Sequence, residues 1–123
     1  MPTINLTTDD FEKTVLDSGI VLVDFWAEWC GPCKQFGPIY EDASNNNPDI
    51  TFGKIDTEAE QQLASAAGIT SIPTLMAFRD GVMVFNQAGA LPGPALANLV
   101  DAVEALDMDD VRAKIAEHEA SGH

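Results

Sequence analysis

Cys30 and Cys33 are the two cysteines of this 123-residue chain, and Gly31 and Pro32 separate them. Proline is tolerated in the first turn of a helix, so Pro32 indicates that a helix begins here. At a helix N-terminus, unpaired backbone N–H groups and the helix dipole favour the thiolate of Cys30. Cys33 follows one turn later, so its sulfur returns to the same face within reach of a disulfide. The spacing predicts a cysteine pair that alternates between thiol and disulfide.

A metal site is the main alternative for two cysteines at this spacing. A closed structural zinc site needs four ligands, but there is no second cysteine pair, and the two histidines, His118 and His123, both stand near the C-terminal end. Haem attachment needs a histidine directly after the second cysteine, where this chain has Lys34. A structural disulfide across so short a loop would add little stability. We therefore expect redox chemistry and no bound metal.

Hydrophobic patterning predicts the elements that hold the pair. The run Ile20–Trp26 is apolar except for Asp24, which is typical of a strand buried on both faces and leading straight into the helix of the cysteines. Further elements are predicted as a strand at 3–6, a helix ending at Gly19, a strand at 50–55, a helix starting from a capping box at 57–60 and ending at Gly68, a hairpin of 73–78 and 82–85, and a helix spanning 96–103. This order predicts an α/β fold, with a mixed central sheet of about five strands flanked on both faces by about four helices.

The C-terminal residues predict one more helix. Asp109 and Asp110 suit a helix N-terminus, and Met108, Val111 and Ile115 fall on one side, so we expect a helix from about residue 109 to 119. We accordingly divide the chain into a domain of residues 1–106 and a C-terminal helical extension of residues 107–123.

The composition restricts the partners. Six Lys and Arg stand against 20 Asp and Glu, and the formal charge of −14 argues against nucleic acid or anionic lipid as a partner. The first residues contain neither a basic start nor an apolar stretch of signal-peptide length. We therefore expect a cytoplasmic protein that does not enter a membrane.

Twelve consecutive residues, Val23 to Lys34 (VDFWAEWCGPCK), resemble the active-site segment of the thioredoxin family at every position. The segment from Gly68 to Thr74 resembles the stretch around the cis-proline of that family, here Pro73. Pro38 resembles the family's helix kink, and Gly89 its glycine after the last strand. The likeness covers about residues 3 to 106 and implies the thioredoxin fold for them.

The resemblance also implies roles for individual residues. Cys30 would attack a substrate disulfide, and Cys33 would then resolve the mixed disulfide. Asp24 would be a buried proton acceptor for Cys33, with Lys54 close by. The residues that the resemblance implies for substrate binding are Trp29, Gly31, Pro32, Ile72, Pro73 and Gly89; in the family, the backbone of the residue before the cis-proline pairs with the substrate peptide. For Asp24 we expect desolvation, which raises a carboxyl pKa, to outweigh the lowering effect of Lys54.

The activity implied is that of a protein disulfide reductase that holds no cofactor of its own. An NADPH-dependent thioredoxin reductase would reduce the pair after each cycle, the clients would be proteins with disulfides, and the chain would act as a monomer. Two alternatives remain open. A disulfide oxidase or isomerase would use the same chemistry, although Gly31 and Pro32 provide no group that stabilises the thiolate more strongly. A non-catalytic binding module would use the apolar patch of Trp29, Ile72 and Pro73.

Overall fold

The computed structural model describes residues 3–17 and 19–120, and its central strand is the predicted apolar run. This strand, β2 (Ile20–Trp26), lies in the middle of a five-stranded sheet with the order β1-β3-β2-β4-β5. The other strands are β1 (Thr3–Asn5), β3 (Thr51–Asp56), β4 (Thr74–Arg79) and β5 (Val82–Ala88). β1, β3 and β2 pair in parallel, whereas β4 and β5 are antiparallel to their neighbours. The predicted mixed sheet is confirmed.

Alternation along β2 divides the core between two faces of the sheet. Leu22 faces one cluster, which receives buried side chains from α2 (Gly31–Asn46) and α4 (Gly93–Glu104). Val21 and Val23 face the other cluster, which receives side chains from α1 (Thr8–Leu16) and α3 (Gln61–Ala66). Helices therefore cover both faces, as predicted, and α2, the helix of the cysteines, packs on the face of Leu22.

The hairpin of β4 and β5 is confirmed, with Asp80 and Gly81 as its two-residue turn. Both have positive φ values, 52° and 80°, as hairpin turns of the type that matches strand twist require. β5 continues beyond the predicted end at Phe85 to Ala88.

The predicted capping box at residues 57–60 is wrong. The helix α3 begins only at Gln61, and Glu60 is its N-cap residue but makes no side-chain cap bond. The carboxylate of Glu60 instead accepts hydrogen bonds from the backbone N–H and the hydroxyl of Thr8, at 2.8 and 3.0 Å. It therefore caps the start of α1, which lies far away in sequence.

The C-terminal helix, α5 (Met108–Ala120), agrees with the predicted range to within a residue at each end. Nη1 of Arg79 donates to the carbonyl oxygens of Val103, Glu104 and Leu106 at 2.6 to 3.1 Å, which holds the chain between α4 and α5. Arg112 lies 3.8 Å from Asp80 in the hairpin turn. These contacts place α5 beside the hairpin turn.

Across the described residues, no helix combines the length and apolar character needed to cross a membrane.

Candidate active site

Cys30 lies at the junction of β2 and α2, where the sequence predicted it. It is the N-cap residue of α2, with extended backbone angles, and Pro32 occupies the first turn. The backbone N–H of Cys33 donates to the Sγ atom of Cys30 at 3.2 Å. Because this N–H and the helix dipole both stabilise negative charge on sulfur, the geometry favours a Cys30 thiolate in the reduced protein.

The two cysteines form a disulfide, with their Cα atoms 5.2 Å apart. Both are nearly inaccessible, with 4% of Cys30 and 3% of Cys33 exposed. Gly31 and Pro32 between them are exposed, so the loop over the disulfide faces solvent. A partner disulfide can therefore approach along this loop.

Asp24 is buried on the α2 face of the sheet. Only 1% of it is exposed, and neither carboxyl oxygen has a hydrogen-bond partner in the described part of the chain. Cys33 shares the buried side of α2 with Phe36 and Tyr40, which pack on that same face. Asp24 and Cys33 therefore belong to one interface between helix and sheet.

The burial of Asp24 perturbs its acidity as expected. Desolvation raises the pKa of Asp24 from 3.8 to about 7, against a smaller lowering effect from Lys54. Lys54 is the direct neighbour of Asp24 in β3, and its Nζ atom lies 4.6 Å from the centre of the Trp26 ring. Among the described residues Lys54 makes no direct ion pair, so it acts on Asp24 at a distance. A carboxyl group with a pKa near neutrality can both accept and return a proton at physiological pH.

The loop before β4 closes the site on the other side of Cys30. The Ile72–Pro73 bond is cis, as the resemblance implies. The carbonyl oxygen of Ile72 lies 3.7 Å from Sγ of Cys30. Gly89, with a φ of 107°, donates its N–H to the carbonyl oxygen of Pro73 at 2.8 Å. The fold therefore brings Ile72, Pro73 and Gly89 together with the cysteines, although they are distant in sequence.

A groove of about 400 Å³ lies beside this loop. It is lined by Trp29, Thr57, Ala64, Ile69, Thr70, Ser71 and Ile72. The side chain of Trp29 is 68% exposed, which is unusual for tryptophan and leaves its ring free to contact a partner. Of the lining residues, Trp29 and Ile72 were predicted from the sequence as binding residues, and Ile69, Thr70 and Ser71 lie in the segment that resembles the family's cis-proline stretch. Thr57 and Ala64 were not predicted, because they come from separate elements and carry no reactive group.

Tyr40 is a further residue beside the site that the sequence pattern did not indicate. Its ring is fully buried, and its hydroxyl donates to the carbonyl oxygen of Gly53 at 2.8 Å. Burial raises the pKa of Tyr40, and the nearby charge of Asp24 raises it further. Tyr40 thus ties α2 to β3 next to Asp24.

The described residues contain no cluster of three or more histidine, cysteine or acidic side chains arranged to hold a metal ion.

Comparisons with known proteins agree with this geometry. The model of the thioredoxin family matches residues 2–102. A Streptomyces coelicolor protein whose name places it among the thioredoxins is 58% identical over 118 residues, which cover 96% of this chain and 88% of that protein. Thioredoxin 1 of Synechococcus elongatus is 44% identical over 98 residues, covering 78% of this chain and 92% of the relative. A solved variant of Halobacterium salinarum thioredoxin has a TM-score of 0.78 at 33% identity, covering 85% of this chain and 93% of that one.

Proposed function

Because the chain belongs to the thioredoxin family of protein disulfide oxidoreductases, we propose that it reduces client disulfides with Cys30 as attacking residue and Cys33 as resolving residue. One observation carries this assignment. Cys30 caps the helix and its sulfur accepts the N–H of Cys33, whereas Cys33 lies inside the first turn. The thiolate is therefore more stable on Cys30.

In the first step, the Cys30 thiolate attacks one sulfur of the client disulfide. A sulfur–sulfur bond forms between Cys30 and the client, the client's own disulfide breaks, and its second sulfur leaves as a thiolate. Because only 4% of Cys30 is exposed, a client disulfide must fit closely against the surface around it, which gives the docking surface a part in selection.

In the second step, Asp24 accepts the proton of Cys33, and the resulting thiolate attacks Cys30. The Cys30–Cys33 disulfide forms, the mixed disulfide breaks, and the client leaves with both electrons. The pKa of about 7 for Asp24 supports this role, since a base with a pKa near the working pH transfers protons efficiently. Lys54 moderates that pKa from the neighbouring strand.

Client docking uses the surface around the cysteines. The exposed ring of Trp29, the exposed Gly31 and Pro32, and the backbone of Ile72 beside Cys30 support contact with an extended client segment. Pro73 shapes this loop, and Gly89 is bonded to it.

A separate enzyme must reduce the pair again, and we assign this step to an NADPH-dependent thioredoxin reductase. The chain then carries electrons from that enzyme to its clients in the cytoplasm, as a monomer and without a cofactor of its own. Residues 1–106 form the catalytic domain in this proposal, and residues 107–123 an extension outside the reaction.

Reduction of insulin by dithiothreitol tests the activity. Wild type should accelerate precipitation of the insulin B chain, and Cys30→Ser should not exceed the rate with dithiothreitol alone. A non-catalytic binding module would show no acceleration in either protein.

Trapping tests the order of the cysteines. Cys33→Ser should accumulate covalent complexes with clients, because the resolving thiol is missing, while Cys30→Ser should accumulate none. Equal trapping by both variants, or faster alkylation of Cys33 than of Cys30 in the reduced protein, would reverse the assignment.

A further inference from the structure

The groove beside Cys30 has uncharged walls. All seven lining residues are apolar or carry a hydroxyl. The groove reaches the nucleophile through Ile72, which lines it and whose carbonyl oxygen lies 3.7 Å from Sγ of Cys30. A client that occupies the groove therefore meets no charge on its walls. Any selection of clients by their charge must come from residues at the rim of the groove.

Two exposed glutamates directly adjoin lining residues in the chain, and we therefore assign them to this rim. Glu28 precedes Trp29 and Glu58 follows Thr57, and both glutamates are exposed. In the part of the chain that the structure describes, neither carboxylate takes part in a hydrogen bond or an ion pair. Both charges are therefore available to a partner.

The other acidic side chains near Glu58 are already engaged. The Asp56 carboxylate accepts backbone N–H groups of its own loop, and the Glu60 carboxylate caps α1. The loops at 67–73 and 89–92, on the other sides of the site, contain no charged residue. Lys34, exposed in the first turn of α2, is the one cation in the loop and first helical turn around the cysteines. Lys54, beside Trp26, is a second cation nearby. Two lysines thus stand against the four carboxylates of Glu28, Asp56, Glu58 and Glu60, so the local balance is acidic, in a chain of net charge −14.

We propose that this chain prefers clients with lysine or arginine within a few residues of the reacting cystine, seated in the groove with those cations toward Glu28 and Glu58. The inference rests on the proposed function and names its substrate class. Opposite charges on the approaching surfaces raise encounter rates by about ten-fold or more at low ionic strength. The chemistry is unchanged: Cys30 forms the mixed disulfide, the client's disulfide breaks, and the client thiolate leaves.

Three disulfide peptides that differ only in their flanking residues test this proposal. One carries lysine, one glutamate and one glutamine beside the cystine. A nearby cation also lowers the pKa of the leaving thiol, so each rate is divided by the rate with dithiothreitol alone. At an ionic strength of about 20 mM, kcat/KM should favour the lysine peptide over the glutamate peptide by about ten-fold, and by less than about three-fold at about 500 mM, because salt screens exposed charges.

Two double variants of equal charge change locate the effect. Glu28→Gln with Glu58→Gln neutralises the rim, whereas Asp49→Asn with Glu104→Gln neutralises two carboxylates at the opposite end of β2. In the rim variant, the ratio of kcat/KM for the lysine peptide to kcat/KM for the glutamate peptide should fall at least about three-fold. In the distal variant, this ratio should stay at the wild-type value.

Equal loss in both variants, a preference for the glutamate peptide, or no preference in wild type at low salt would overturn the inference. The glutamine peptide separates this failure from a failure of the proposed function. If wild type reduces the glutamine peptide but shows no preference between the lysine and glutamate peptides, only the proposed substrate class is wrong. If it reduces none of the three peptides, the reductase proposal falls with it.

Discussion

Replacing Asp24 with asparagine tests how the protein uses its buried carboxyl group. The side chain is 1% exposed and its oxygens have no hydrogen-bond partner among the described residues. An ionised carboxylate in this position is costly, and asparagine has nearly the same shape without the charge. Asp24→Asn should therefore stabilise the protein at neutral pH and impair its chemistry.

The magnitude follows from the difference in acidity between the folded and unfolded chain. The pKa of Asp24 is raised from 3.8 to about 7 on folding. The folded protein therefore holds this proton at pH values where the unfolded chain has lost it, and wild-type stability falls as pH rises between the two values. At about 1.36 kcal/mol per pKa unit, the loss at pH 7 is about 4 kcal/mol. A buried amide without partners costs about 1–3 kcal/mol, so the net gain of the variant at pH 7 should be about 1–3 kcal/mol.

The pH dependence distinguishes this explanation from simple repacking. The stability of Asp24→Asn relative to wild type should rise from pH 4 to pH 7 by about 3 kcal/mol, because the wild-type penalty is small near the unfolded pKa of 3.8 and nearly complete at pH 7. Denaturant melts of both oxidised proteins at these two pH values measure it. Asp42→Asn is the matched control, since Asp42 is an exposed carboxylate on α2, and its effect should stay within about 0.5 kcal/mol at both pH values.

Stopped-flow kinetics test the chemical role. Without its proton acceptor, Cys33 should lose its proton less readily, so resolution of the mixed disulfide should slow by about 10²-fold or more, while the first attack by Cys30 changes little. A variant that is less stable than wild type at pH 7 and resolves at the wild-type rate would refute this reasoning and make Asp24 a structural residue.

Three further predictions concern the surroundings of the site. Ending the chain after Leu106 should leave insulin reduction unchanged, because α5 lies beside the hairpin turn. Denaturant melts of this truncation should show that the free energy of unfolding falls by about 1.5–3 kcal/mol, because the buried Met108 is removed. A several-fold loss of activity in a folded truncation would contradict this. Tyr40→Phe should cost about 1–3 kcal/mol in the same melts, because the carbonyl of Gly53 loses its hydroxyl partner, and an unchanged midpoint would count against that bond. Gly53→Ala should destabilise by about 1–3 kcal/mol, since its Cβ would lie 2.5 Å from Cδ1 of Leu6; wild-type stability would show that Leu6 moves aside freely.

Local patterns in the sequence were sufficient for the elements and for the reactive pair. The apolar run Ile20–Trp26 specifies a strand, because its apolar side chains suit burial on both faces of a sheet. Pro32 specifies the start of a helix, because the first helical turn tolerates a residue without an N–H. The turn at Asp80 and Gly81 and the helix after Asp107 depend on equally local chemistry, and both formed where predicted. Each of these features is decided by residues within a few positions of one another.

Tertiary structure alone decided which distant groups meet. The β2–β3 register places Lys54 beside Asp24, and the packing of α2 buries that carboxyl group and raises its pKa. The failed capping box has the same origin: Glu60 could cap its own helix or another, and the fold brought Thr8 within hydrogen-bond distance. Hydrogen bonds, desolvation and the walls of a groove depend on distances between atoms in the folded chain. Residue types and their spacing along the sequence do not specify these distances. The sequence therefore determined the cysteine pair and its helix, while the folded chain determined the acidity of Asp24 and the groove beside the pair.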